Sequence, residues 1–152
     1  LESDLFFSGQ RPAVNVGLSV SRVGGAAQTK AMKKAAGALR IDLAQFREME
    51  VFTQFSSDLD DETKASLTYG KGLMALFKPP MCNPPYLSDM DVPLVAAIGH
   101  KFMDVDPKKI KAFQSGLLEF VNAKYPELVA TIEKDQVLTD ELREEILAAT
   151  DE

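Results

Sequence analysis

An arginine beside two serines is the first feature of this sequence that suggests chemistry. Ser-Val-Ser-Arg occupies residues 19–22, within a glycine-bounded stretch of small and β-branched residues. An arginine in such a loop can project its permanently charged guanidinium, with five N–H donors, toward a neighbouring molecule. A solvated surface arginine is the ordinary alternative, and the residue types leave both interpretations open. Arg22 is therefore a candidate for contact with a partner.

An aromatic residue, a guanidinium and a proline lie close together at residues 6–12, in the run FFSGQRP. Phe6 offers a ring face, Arg11 a planar cation and Pro12 a rigid ring. Aromatic faces and guanidinium planes are surfaces on which nucleobases stack. The composition of this stretch is compatible with the wall of a base-stacking pocket.

The sequence lacks the residues that a metal centre or a catalytic thiol would need. The chain has one His and one Cys, which excludes a multi-cysteine or histidine-rich site. His100 and Asp104 have a spacing that suits metal ligation on a helix, but a surface histidine near a carboxylate is the simpler interpretation. Cys82 has no evident base partner, so an inert cysteine is favoured over a nucleophile. We predict no metal site.

Four carboxylates cluster between residues 58 and 62, namely Asp58, Asp60, Asp61 and Glu62. The dipole at a helix N-terminus favours negative side chains, so helix capping is one interpretation of this acidic turn. Docking of a partner is the other, and both stay open.

Composition limits the class of protein. The chain has 152 residues, 45% of them apolar, and a net charge of -6. Such a length suits one domain, alone or with part of a second, and the apolar fraction supports a core. The acidic balance argues against a nucleic-acid-binding face, and no apolar run reaches the roughly 20 residues needed to cross a bilayer. The chain also lacks the phosphate-binding patterns G-x-x-x-x-G-K-[ST] and G-x-G-x-x-G, so we expect no self-sufficient nucleotide site.

Local patterns divide the chain near residue 28. Before that point, glycines and Pro12 bound one predicted strand around residues 13–16, followed by an irregular loop. A lone strand cannot bury its faces or pair its backbone, which predicts a sheet whose other strands lie outside this sequence. Leu1 stands where a complete protein has Met, and we expect a piece of a longer chain.

From Gln28 onward, apolar residues recur every three or four positions, which indicates α-helices. The first helix is predicted to continue through Gly37 as far as residue 55. Ser57 and Asp60 then have the spacing of a capping box for the next helix.

Prolines and caps divide the second half into further helices. Four prolines within residues 79–86 end the second helix. Asp106-Pro107 predicts a helix start, Pro126 a kink or restart, and Thr139 the cap of the last helix. The predicted class is mainly α, a bundle of five or six helices preceded by a strand and a loop.

Several motifs together resemble one family. Residues 11–25 read RPAVNVGLSVSRVGG and residues 26–33 read AAQTKAMK, with AQFRE at 44–48 and FTQFSSDLD at 52–60. This sequence resembles the α subunit of F-type (rotary) ATP synthases, most densely over residues 1–78. The resemblance implies that residues 1–27 end an α/β nucleotide-binding domain and that residues 28–152 form the C-terminal helical domain.

The resemblance also implies roles for the residues of the first loop. Arg22 falls on the family's arginine finger, which reaches the nucleotide phosphates in the adjacent β subunit, and its fork suits phosphoryl oxygens. Ser19 matches a serine required for activity, which we assign to holding the loop. Phe6, Arg11 and Pro12 match the non-catalytic nucleotide site, but Pro-Pro-Met at residues 79–81 replaces the usual Gln-x-Gln near the purine. The implied ligands are ATP or ADP with Mg²⁺, held mostly by the upstream domain and the β subunit.

The implied partners are the β subunit, the central-stalk γ subunit at the acidic turn, and the peripheral-stalk δ subunit through the upstream region. The implied activity is ATP synthesis or hydrolysis by a proton-translocating rotary ATPase, with Na⁺ as the other possible coupling ion. The implied location is the cytoplasmic face of a bacterial cell membrane, with the mitochondrial inner membrane or thylakoid as alternatives. The β subunit and the vacuolar-type and secretion ATPases are related possibilities. A freestanding helical interaction module without nucleotide chemistry is the alternative function.

Overall fold

The computed structural model describes residues 1–16, 18–53, 60–78 and 85–151. Every regular element in these residues is an α-helix. The helices are α1 (Ser3–Phe7), α2 (Arg22–Ala27), α3 (Lys30–Ala35), α4 (Leu39–Thr53), α5 (Asp61–Leu76), α6 (Leu87–Ile98), α7 (Ile110–Lys124), α8 (Pro126–Asp135) and α9 (Asp140–Asp151). The predicted class, a mainly α helical bundle, is confirmed.

The strand predicted around residues 13–16 is wrong. These residues have irregular backbone, and Val16 lies in a turn. The Ala13 carbonyl accepts a hydrogen bond from the Glu2 N–H at 2.9 Å, but no strand runs beside it in the described residues. A strand is stabilised by a ladder to a neighbour, and an extended segment without one has no reason to hold strand geometry.

The long first helix of the bundle is broken in two at Gly37. Helix α3 begins after Thr29, whose hydroxyl accepts from the Met32 N–H at 3.1 Å, and it ends at Ala35. Helix α4 starts at Leu39. Glycine costs about 1 kcal/mol relative to alanine inside a helix, and here it marks a break rather than a tolerated weak point.

The other predicted boundaries have mixed outcomes. Helix α8 starts with Pro126, and the Thr139 hydroxyl accepts from the Leu142 N–H at 3.2 Å, so the restart and the last cap are confirmed. The start at Asp106 is wrong by several residues. Its carboxylate accepts from the Lys108 N–H at 2.8 Å and closes a turn, and α7 begins only at Ile110. Because the first helix is split, the described part of residues 28–151 contains seven helices rather than five or six.

Helix α6 is the centre of the bundle. It packs against α3, α5, α7, α8 and α9. The helix is apolar nearly all round, as expected for a fully enclosed helix, and it accommodates Pro93 in its interior. Two polar residues of α6 are buried. The Ser88 hydroxyl donates to Glu133 Oε1 at 2.7 Å, whereas Asp91 is completely buried and neither of its carboxylate oxygens has a hydrogen-bond partner.

Helices α4 and α5 pack against each other and approach unusually closely at Gly70. The Phe46 ring occupies the space where a side chain at Gly70 would lie. One turn of side chains away, the Tyr69 hydroxyl donates to Asp42 Oδ2 at 2.9 Å. Burial and this hydrogen bond to a carboxylate raise the pKa of Tyr69, so the phenol stays a donor. The pair is thereby held in one register.

Candidate functional site

The structure brings Phe6, Arg11 and Pro12 together. The guanidinium carbon of Arg11 lies 4.3 Å from the centroid of the Phe6 ring, within the range of a cation–π contact. Arg11 and Pro12 are joined by a cis peptide bond. These three residues line an open pocket of about 430 Å³ together with residues 1–3 and Ala13. A stacked ring and guanidinium beside an open pocket can hold a planar aromatic group.

A second pocket, of about 280 Å³, lies between the loop at residues 10–18 and helices α4 and α5. Its polar lining consists of Gln10, Asn15 and Arg47, and its apolar lining includes Met74 and Phe77. Gln10 is nearly buried. The loop therefore lies against helices α4 and α5, with this pocket between them.

Asn15 folds the loop that leads to Ser19. Its amide nitrogen donates to Glu2 Oε1 at 3.0 Å, and its side-chain oxygen accepts from the Leu18 N–H at 3.3 Å. The Asn15 carbonyl accepts from the Ser19 N–H at 2.9 Å. An asparagine that bonds its own downstream backbone is a standard turn former. The bond to Glu2 also connects this loop with the segment that carries Phe6.

Ser19 is held through its backbone. Besides the bond from its N–H to Asn15, its carbonyl oxygen accepts from Arg40 Nη2 at 2.5 Å. Arg40 lies in the first turn of α4, which is 21 residues further along the chain. This arrangement agrees with a role for Ser19 in shaping the loop.

Arg22 is the first residue of helix α2 and is exposed. The helix is capped by Ser21, whose hydroxyl accepts from the Gly24 N–H at 2.9 Å. Val20 and Val23, on either side, are 75% and 82% exposed. Among the described residues, no carboxylate pairs with Arg22, and no hydrogen bond or ring contact joins it to Phe6, Arg11 or Pro12. A charged group surrounded by exposed apolar side chains is typical of a surface that meets a partner.

The acidic turn is described from Asp60 onward, and Asp58 lies outside the described residues, as does Ser57. Asp60 caps α5, with its carboxylate accepting from the Thr63 N–H at 2.9 Å. Hydrogen bonding with Thr63, first through its side chain and then through its N–H, lowers the pKa of Asp60. Asp61 pairs with Lys64 at 3.1 Å. Capping therefore accounts for Asp60, whereas Glu62 is exposed in the first turn of the helix.

His100 does not have the helical spacing to Asp104 that metal ligation would use, because α6 ends at Ile98. It lies in the following turn with a positive φ of 59°, and its ring centroid is 4.5 Å from that of Tyr69. In the described part of the chain, no three His, Cys, Asp or Glu residues are grouped to hold a metal ion. Cys82 and residues 79–81 lie outside the described residues.

The sequence interpretation missed two structural roles. The bond of Arg40 to Ser19 has no sequence signal, because the two residues are 21 positions apart in the chain. Asn15 had a signal, since Asn-Val-Gly favours a turn. The strand predicted there obscured it.

The fold and the site define a helical domain preceded by a loop that presents an arginine at the surface. Residues 28–152 match the family described as ATP synthase alpha/beta chain, C terminal domain. The chain belongs to this family.

Individual relatives are alpha subunits. The chain is 48% identical over its whole length to ATP synthase subunit alpha of Clostridium acetobutylicum, and 45% identical over its whole length to that of Clostridium kluyveri. It is also 48% identical over 93% of its length to the protein of Acetobacterium woodii named ATP synthase subunit alpha, sodium ion specific. The resemblance to the C-terminal portion of alpha subunits is confirmed. The chain spans about 30% of the length of these relatives.

None of the helices in the described residues combines the length and the apolar character needed to cross a membrane.

Proposed function

We propose that this chain serves as the C-terminal part of an alpha subunit in a rotary ATP synthase and gives Arg22 to the nucleotide site of the adjacent β subunit. The observation that carries this proposal is the setting of Arg22. The residue opens a capped helix, is exposed, and has exposed valines on both sides. In an alternating ring of α and β subunits, such a surface would meet the neighbour.

The guanidinium suits the chemistry of phosphoryl transfer. Charge develops on the equatorial oxygens of the transferred group, and a fixed planar cation with paired N–H donors stabilises it. Arg22 would touch these oxygens. Ser19 would act through the backbone of its loop, because its N–H and carbonyl carry the bonds to Asn15 and Arg40.

Phe6, Arg11 and Pro12 would form part of the non-catalytic nucleotide site on the alpha subunit itself. Their geometry fits a nucleobase, because the Arg11 guanidinium already stacks on the Phe6 ring at the edge of an open pocket. They do not fit a Mg²⁺ site, since the described residues contain no cluster of metal ligands. In this proposal, the chain contributes to base binding and other parts of the complex hold the phosphates and the ion.

The remaining parts of the proposal concern assembly. The β subunit is the partner at Arg22, the γ subunit is the partner at the acidic turn, and the δ subunit binds through the upstream part of the alpha subunit. The complex would couple ATP synthesis or hydrolysis to ion transport from the cytoplasmic face of the cell membrane. The alternative of a freestanding interaction module loses its basis, because the whole chain aligns with alpha subunits.

The test is the Arg22→Ala variant of the full-length subunit, assembled with β and γ subunits. We expect steady-state ATP hydrolysis to fall by about 10³-fold, as for other arginine fingers, while the complex still assembles. Arg22→Lys retains the positive charge but lacks the planar pair of N–H donors, so its rate should lie between those of Arg22→Ala and the original complex. Arg143→Ala removes an exposed arginine from α9 and serves as the control. Near-normal hydrolysis by an assembled Arg22→Ala complex would sink the proposed role.

A further inference from the structure

Arg40 connects the start of helix α4 to the loop that precedes Arg22. Its Nη2 atom lies 2.5 Å from the carbonyl oxygen of Ser19. The acceptor is a neutral backbone carbonyl and the donor is a charged guanidinium, a combination stronger than a neutral hydrogen bond. The contact joins the loop to the bundle, and its acceptor, Ser19, lies three positions before Arg22 in the chain.

The other described hydrogen bonds of residues 18–23 stay within the loop and helix α2. The Ser19 N–H bonds to Asn15, and the Ser21 hydroxyl and carbonyl bond to the N–H groups of Gly24 and Gly25. Among the described residues, the bond from Arg40 is the one that joins residues 18–23 to the helical bundle.

Packing does little to fix the same segment. Leu18, Val20 and Val23 are each about three-quarters exposed or more. Apolar side chains in this state make few contacts that could hold the backbone in place. In the part of the chain that the structure describes, the bond from Arg40 is therefore the one hydrogen bond that fixes the position of residues 18–23 relative to α4, beside the contact of Leu18 with the pocket next to that helix.

We propose that Arg40 is a positioning residue for Arg22: by holding the Ser19 carbonyl, it fixes the loop from which the Arg22 guanidinium reaches the nucleotide. This inference rests on the proposed function. A catalytic group displaced by about 1 Å can lose much of its effect, so a bond at the base of the loop bears directly on the rate. Arg40 itself does not touch the nucleotide in this proposal.

The experiment uses full-length alpha subunit assembled with β and γ subunits, with MgATP as the substrate. Arg40→Ala is expected to lower kcat by about three- to tenfold, the loss that one hydrogen bond of this kind implies. The KM for MgATP should stay unchanged, because Arg22 acts on the charge of the transition state rather than on ground-state binding. Arg40→Lys keeps a donor on a long side chain and should recover most of the rate.

A double variant separates positioning from general stability. If Arg40 acts through Arg22, Arg40→Ala should cause no further loss in the Arg22→Ala background. A structural role would lower the rate in both backgrounds. Arg143→Ala is the matched control for the loss of an exposed arginine. Arg40→Gln, which shortens the side chain but retains a polar end, replaces Arg40→Ala if that variant fails to assemble.

The outcomes distinguish the two proposals. Normal kcat for Arg40→Ala together with loss of hydrolysis for Arg22→Ala overturns the role of Arg40 and leaves the proposed function intact. Normal hydrolysis for Arg22→Ala overturns the proposed function and the role of Arg40 with it. An equal loss from Arg40→Ala in both backgrounds, or a raised KM with kcat unchanged, also overturns the positioning role.

Discussion

The Phe46 ring lies so close to Gly70 that a Cβ atom on Gly70 would stand 2.0 Å from Phe46 Cδ2. Helices α4 and α5 approach each other at this point because glycine leaves room for the ring. The pair carries both the contact to the Arg22 loop, at the start of α4, and the acidic turn, at the start of α5.

Gly70→Ala should destabilise the fold even though alanine is the better helix former. The propensity gain is about 1 kcal/mol, while overpacking of a buried contact of this kind costs about 1–3 kcal/mol. We expect a lower thermal midpoint, followed by far-UV circular dichroism. Gly116→Ala is the matched control, because a Cβ there meets nothing within 4 Å and should raise the midpoint. A midpoint for Gly70→Ala at or above that of the original chain contradicts the close packing.

Asp91 predicts a dependence of stability on pH. Burial raises its pKa from 3.8 to about 6, and neither oxygen has a partner. Because the pKa of Asp91 is higher in the folded state than in the unfolded state, the folded protein holds the proton on this carboxyl more tightly at pH values between the two pKa values. The contribution of the protonated Asp91 carboxyl to the free energy of unfolding is complete below about pH 4 and is lost as pH rises through 6.

The measurement is the difference in unfolding free energy between Asp91→Asn and the original chain across this range. The unfolding free energy of Asp91→Asn minus that of the original chain should be about 3 kcal/mol larger above pH 6 than at pH 4. A difference of one pKa unit corresponds to about 1.36 kcal/mol. Urea unfolding at several pH values gives the curve. Asp104→Asn, at an exposed carboxylate, is the control and should follow the original chain. A difference that does not change between pH 4 and 7 rules out titration of a buried Asp91.

The sequence predicted the helical class and several helix ends, and its errors have local physical causes. Pro126 and Thr139 mark helix starts because the missing N–H and the capping hydroxyl act on neighbouring residues alone. The break at Gly37 could not be read from periodicity, since the apolar spacing continues across it. The strand at residues 13–16 failed because a strand depends on partners that the pattern of one segment does not contain.

The candidate site was predictable only where its residues are neighbours in the chain. Phe6, Arg11 and Pro12 are within seven residues, and they do meet. The contact between Arg40 and Ser19 depends on how α4 is placed against the loop. The buried state of Asp91 likewise depends on five helices packing around α6. Neither follows from local residue types.

Phe6→Ala in the full-length subunit should weaken nucleotide binding at the non-catalytic site while leaving the catalytic site intact. Stacking of a base on an aromatic ring contributes about 1–3 kcal/mol, so we expect the Kd to rise by about five- to 150-fold. The measurement is binding of ADP to the isolated full-length alpha subunit. Phe52→Ala is the matched control, because Phe52 is 73% exposed and does not line the pocket, whereas Phe7 packs edge-on against the Phe6 ring. An unchanged Kd for Phe6→Ala contradicts the base-stacking role of the Phe6–Arg11 pair.

Asp60 caps α5, and in the proposed assembly the acidic turn meets the γ subunit, so substitutions at Asp60 and Glu62 should separate these two roles. Asp60→Ala removes the acceptor of the Thr63 N–H and should lower the thermal midpoint of the chain. The pKa of Asp60 is lowered in the folded state by hydrogen bonds with the side chain and then the N–H of Thr63, so this stabilisation is lost as pH falls through the folded pKa. Glu62→Gln keeps the cap and removes only a charge near the helix N-terminus, so it should lower the midpoint less than Asp60→Ala does. In the assembled complex, Glu62→Gln should instead weaken binding of the γ subunit at low salt and less so at high salt, because exposed charges are screened. Equal γ binding by Glu62→Gln and the original subunit at low salt would show that the turn is a helix cap alone.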